Sequence, residues 1–124
     1  MKLQPDRSDA QTISGYGPGW VGVGSEKITH SVVLGSRGER LPWAARYEDL
    51  GPGDFLAIAN LQVEVVIFGS GAKLRFVSPA LYRNLIERRI GVETMDSGAA
   101  SRTYTVLANE GRRAVAAILL APAA

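Results

Sequence analysis

The residues best suited to chemistry lie at two glycine-containing corners. One is M-D-S-G-A-A-S-R-T-Y, residues 95–104, with an acid, two hydroxyls, a glycine and an arginine in close succession. The other is V-V-I-F-G-S-G-A-K-L-R-F, residues 65–76. Together they define a candidate ligand site of Gly69, Ser70, Gly71, Asp96, Ser97, Gly98, Ser101 and Arg102. A helix that starts at the carboxyl end of a strand is where open α/β sheets hold ligands, and its N-terminus suits an anion. The same residue types also have a purely structural use. Asp96, Ser97 or Ser101 can each cap a helix. A carboxylate at Asp96 would already occupy the positive end of the dipole. Capping does not explain Arg102, because a cation in the first turns opposes the dipole. It needs a salt bridge to Asp96 or a partner elsewhere.

The Gly69-Ser70-Gly71 corner is a poor phosphate loop. A Walker loop needs four residues between its glycines and then Lys-Ser/Thr, and this stretch has neither. A dinucleotide fingerprint needs a helix beginning inside the glycine motif. Here the helix signal, Ser78-Pro79, comes only after an extended A-K-L-R-F stretch. A sharp turn with glycines at positive φ accounts for the corner more simply.

Composition closes other routes. The 124 residues contain no cysteine, which excludes thiolate nucleophiles, disulfides and Cys-based metal sites. His30 is the only histidine, so neither a multi-histidine metal site nor a triad using a second histidine can be built. His30 itself is expected inside a strand in a structural role. No catalytic residue, metal or cofactor is assigned. A net charge of +2 is too small to argue for nucleic acid. The start, M-K-L-Q-P-D-R-S-D-A, lacks the apolar core of a signal peptide. The longest apolar run, Ala114 to Pro122, is far short of the ~20 residues that span a bilayer. The expectation is a cytoplasmic protein that does not span a membrane.

The elements that must position these corners follow from patterning. The glycine-rich first third reads as a β-hairpin or meander of two to four strands, including Trp20 to Val23 and Ile28 to Leu34, with glycines in tight turns. Trp20 and Trp43 suit either the core or an exposed anchor. Gly51-Pro52-Gly53 interrupts a helical turn at Tyr47 to Leu50, and Asp54 caps a short helix through Ala59. Val63 to Phe68 fits a buried strand. Within it Glu64 faces solvent or pairs with an arginine such as Arg75. Ser78-Pro79 opens a helix that buries Leu81, Tyr82, Leu85 and Ile86 and ends at Gly91. Val92 to Met95 is a strand, Ala99 to Glu110 a helix stopped by Gly111, and Val115 to Leu120 a strand covered on both faces. This βαβαβ order in the C-terminal half implies parallel strands with right-handed crossovers. Residues 1–124 read as a single domain.

Several stretches resemble the small α/β family that includes mitochondrial respiratory complex I assembly factor three. They are F-G-S-G (68–71), R-R-I-G-V-E (88–93), M-D-S-G-A-A-S-R-T-Y (95–104) and A-N-E-G-R-R (108–113). The resemblance spans nearly the whole chain. It implies a three-layer α/β fold with a mixed central sheet. It also implies a non-enzymatic, assembly-factor-like role through protein partners, membrane or respiratory-complex proteins among them. It supplies no catalytic residue. This chain departs from the common pattern with Ser101 where cysteine is frequent and Thr105 where asparagine is frequent, which rules out thiol chemistry at that corner. The polar start, without a transit peptide, points to a bacterial member.

Overall fold

A computed structural model of the chain describes residues 11–120. The polar start at residues 1–10 and the end of the apolar run at Pro122 lie outside them. Two sheets and three helices are stacked in layers. A small antiparallel sheet contains β1 (Ile13–Gly17), β2 (Trp20–Val23) and β3 (Glu26–Ile28) in that order. The central sheet contains β4 (Val32–Gly35), β5 (Arg40–Pro42), β6 (Val65–Gly69), β7 (Gly91–Met95) and β8 (Ala114–Ile118). Its order is β5-β4-β8-β6-β7. β6 runs parallel to both β7 and β8, while β4 pairs antiparallel with β8 and β5, so the sheet is mixed.

The side chains of the two central strands divide the core. Val66, Phe68, Val115 and Ala117 face one cluster, with Phe55, Ile58, Leu85 and Trp43. There α1 (Pro52–Ala59) and α2 (Arg83–Glu87) cover the sheet. Val65, Ile67, Ala114, Ala116 and Ile118 face the other cluster, with Ala100 and Tyr104 of α3 (Ser97–Asn109) and Ile13, Val21 and Ile28 of the small sheet. The unalternating apolar character of β8 follows from cover on both faces; all five of its residues are fully buried. Among the described residues no helix is long and apolar enough to cross a membrane.

Several expected elements are redrawn. The strand expected over Ile28 to Leu34 is broken at Thr29–Ser31, and its halves belong to different sheets. The Ser31 hydroxyl pins the crossing by donating to the Ala45 carbonyl and accepting from the Leu120 N–H. His30 therefore sits exposed at a crossover, not in a strand. Asp54 is not the cap of α1. Gly51 is, with Pro52 at the first helical position, and the Asp54 carboxylate accepts from the Gly51 N–H at 2.8 Å. The helix expected from Ser78 to Gly91 is a 3-10 turn, Pro79–Tyr82, followed by the five-residue α2. Ile86 is 53% exposed, because so short a helix buries only Leu85.

Arg89, not Gly91, takes the left-handed position that ends α2, with φ 58°. The Ile90 N–H returns to the Leu85 carbonyl and the Arg89 N–H to the Ile86 carbonyl, a Schellman closure. Gly91 opens β7 instead. At the end of α3, Gly111 fills the equivalent role as expected, with φ 80°. Glu64 lies just before β6 and binds Arg112 and Arg113, while Arg75 pairs with Glu48.

Candidate functional site

The parallel strands β6, β7 and β8 end at one corner of the sheet, and both glycine corners lie there. The chain enters α3 through Asp96, whose carboxylate accepts from the Ala99 N–H at 2.9 Å. The helix thus starts two residues earlier than its apolar periodicity suggests, because Ser97 and Gly98 carry no apolar side chain to mark it.

Ser97 ties the three strand ends together. Its hydroxyl accepts from the Gly71 N–H at 2.9 Å and donates to the Leu119 carbonyl at 2.8 Å. Its own N–H donates to the Gly71 carbonyl at 2.8 Å. Gly69 permits this approach: a Cβ there would stand 2.9 Å from the Ser97 hydroxyl and 3.1 Å from the Ala100 Cβ. Ser70 is fully buried and organises the following loop, accepting from the Arg75 N–H and donating to the Lys73 carbonyl at 2.6 Å. The Ser101 hydroxyl is buried and turns back to the Ser97 carbonyl at 2.8 Å. The space between Gly69–Gly71 and the start of α3 is therefore filled by their own hydrogen bonds.

The open space lies on the other side of the helix start. A cleft of about 570 Å³ separates it from the turn joining β1 and β2. Gly71, Asp96, Ser97, Gly98 and Ser101 border it. Gly69, Ser70 and Arg102 do not. Opposite stand Tyr16, Pro18, Trp20, Val21, Leu119 and Leu120, of which only Trp20 had been singled out in the sequence, as core or an exposed anchor. Local patterning could not find them, since they come from a hairpin and a strand end remote in the chain.

Two side chains of α3 hold that hairpin in place. Arg102 Nη1 donates to the Tyr16 hydroxyl, and its guanidinium lies 5.7 Å from the Tyr16 ring centroid. The Tyr104 hydroxyl donates to the Gln11 carbonyl at 2.7 Å, while the Thr105 hydroxyl donates to the Ser101 carbonyl of its own helix at 2.8 Å. Arg102 thus finds its partner on β1; no ion pair with Asp96 forms. Its guanidinium is held in the charged form first by the Tyr16 hydroxyl and only weakly by Asp96. Burial pushes the Tyr104 phenol well above its ordinary range, so it stays a neutral donor.

The glycines of the hairpin have a purpose beyond turning the chain. Gly19 and Gly24 do carry positive φ. Gly15, Gly17 and Gly22 instead surround the Trp20 indole; a Cβ at Gly17 would overlap its ring atoms. Lys27 covers the ring at 4.9 Å from its centroid. Trp43, by contrast, is a core residue, edge-on to Phe55 with centroids 5.2 Å apart. Among the described residues no group of three His, Asp or Glu side chains is arranged to hold a metal.

A mixed five-stranded sheet between two helices on one face and a helix plus three-stranded sheet on the other defines a compact α/β class with its cleft at the strand ends. A family model described as a protein of unknown function (DUF498/DUF598) matches residues 13–119, and the chain belongs to that family. The resemblance drawn from residues 68–113 is thereby borne out. An uncharacterised protein of Rhodobacter capsulatus is 31% identical over 121 residues, 98% of this chain and 94% of that protein. The NADH dehydrogenase (ubiquinone) 1 alpha subcomplex assembly factor 3 of Danio rerio is 36% identical over 129 residues, 98% of this chain and 71% of that protein. A crystal structure of a Bordetella parapertussis protein superposes with a TM-score of 0.83 at 33% identity, covering 92% of this chain and 97% of that one.

Proposed function

We propose that this chain is a cytoplasmic, assembly-factor-like domain that works by binding protein and not by catalysis. The observation that carries the reading is the cleft. Its walls are aromatic and aliphatic, while the polar groups of the neighbouring corner are engaged with one another. A surface of that kind suits an apolar side chain of a partner better than a reaction needing free acids and bases. The Danio rerio relative, whose name is that of an assembly factor, supports the same direction and points to membrane or respiratory-complex proteins as partners.

Ala72 is exposed on the cleft border, so Ala72→Trp fills the cleft from outside the core. Tagged wild type and Ala72→Trp, captured from the native host and quantified by mass spectrometry, test the reading. Respiratory-complex proteins enriched with wild type and lost with the variant are expected. Identical captures, or none from such complexes, overturn it.

A second reading, a small anionic ligand at Asp96–Arg102 with binding or enzymatic purpose, draws on one observation. Arg102 makes no ion pair among the described residues. A thermal-shift screen of nucleotides, phosphates and carboxylates decides it. No stabilisation by any of them, with Arg102→Ala behaving as wild type, removes this reading.

A further inference from the structure

The apolar lining of the cleft and the cation just beyond its border together specify what enters it. Arg102 is exposed, and its Nη1 is 3.8 Å from where a Cβ on Gly98 would stand, hence beside the cleft wall. One of its five N–H groups goes to Tyr16. Asp96 keeps its charge at the cleft border, but its carboxylate is turned to the Ala99 N–H and makes no ion pair with Arg102. The helix start offers an anion little beyond the Gly98 N–H, because the Ser97, Ala99 and Ala100 N–H groups are already bonded. A free phosphate or small carboxylate would depend on that one N–H and a single exposed cation. Exposed ion pairs contribute a factor of about five at most. Affinity must therefore come from an apolar body filling the roughly 570 Å³ of the cleft, with charge adding selectivity.

We infer that the cleft receives a peptide segment of a partner protein whose apolar side chains enter between the β1–β2 turn and α3. An adjacent carboxylate on that segment pairs with Arg102. The inference rests on the protein-binding reading above and names the chemistry of its partner. Arg102 acts here as a selectivity residue: it discriminates among apolar peptides by the charge beside them. Its attachment to Tyr16 orders the guanidinium in advance, so little freedom is lost when the carboxylate arrives.

The test uses fluorescence anisotropy with labelled decapeptides carrying two adjacent large apolar residues flanked by aspartates, serines or lysines. Wild type is expected to bind the aspartate peptide about fivefold tighter than the serine peptide, with the lysine peptide weakest. The spread narrows as salt rises. Arg102→Gln, which keeps a donor for Tyr16, brings the three affinities together; Arg102→Lys retains the preference; Arg102→Glu reverses it. Ala72→Trp weakens all three peptides. Equal binding of the three peptides to wild type, blocked by Ala72→Trp, overturns this inference and leaves the protein-binding reading standing. No binding of any peptide, or binding indifferent to Ala72→Trp, overturns both.

Discussion

Ser97 and Gly71 are joined by a reciprocal pair of hydrogen bonds, each donating its N–H to an oxygen of the other. The bond from the Ser97 hydroxyl to Leu119 extends the link to the end of β8. Ser97→Ala removes the hydroxyl from two of these three bonds and leaves the Gly71 N–H and the Leu119 carbonyl to find other partners. A loss of about 1–3 kcal/mol is expected. It appears in urea unfolding as a lower midpoint at unchanged slope. A change below about 0.5 kcal/mol, the range of unremarkable surface substitutions, contradicts the role given to Ser97.

Gly17 faces the Trp20 ring without room for a methyl group. The clash is with a side chain, so Gly17→Ala is expected to rotate the indole away at a stability cost under about 1 kcal/mol. The readout is fluorescence excited selectively at tryptophan in a Trp43→Phe background, where Trp20 is the only tryptophan. A red shift and easier quenching by iodide are expected, since the ring leaves its glycine bed. An unaltered spectrum means Gly17 does not set the ring's position.

Arg89 occupies a left-handed conformation that costs an L-residue with a Cβ roughly 1–2 kcal/mol. Arg89→Gly relieves that strain but adds freedom to the unfolded chain. A net gain of about 0.5–1 kcal/mol is expected, seen as a higher Tm. A loss would mean the Arg89 side chain makes a stabilising contact that outweighs the strain.

The Arg112 hydrogen bond, then the Arg113 N–H, hold the Glu64 carboxyl below its ordinary value of 4.5. Its folded pKa lies below the unfolded one, so its stabilisation is complete above the unfolded value and fades as pH falls through the folded value. Melting curves of wild type and Glu64→Gln should differ at pH 7 and converge as the pH drops below about 4.5. A difference that persists unchanged into acid shows that the charge of Glu64 is not what stabilises.

What was legible in the sequence was local. The apolar run of β8, the stop at Gly111 and the order of strands and helices from Val65 onward rest on contiguous pattern, and they stand. The mixed sheet rested on family resemblance, because nothing in Val32–Gly35 announces that it will pair antiparallel with β8. The break at His30 was illegible because the β-favouring residues continue across it; Ser31 fixes the crossing through bonds to Ala45 and Leu120. Gly91 looked like a helix stop by residue type, yet Arg89 took the strained position because the closure onto Leu85 and Ile86 falls one turn after so short a helix. At the candidate site, the capping role of Asp96 was readable. The partner of Arg102 was not, since Tyr16 lies at the other end of the described chain and leaves no trace in local spacing.

The position of β8 governs how the chain can fold. It is the last strand of the described sequence and the middle strand of the central sheet, bonded to β4 on one side and β6 on the other. A nascent chain emerging from the ribosome holds β4, β5, β6 and β7 before the strand that joins them exists. Until Val32 meets Ile118, β4 and β6 are open edges without a partner between them. Such long-range closure makes for slow, late-committing folding and exposes the half-made sheet to aggregation. During synthesis, the vulnerable species is the one in which β4 to β7 have emerged and β8 has not.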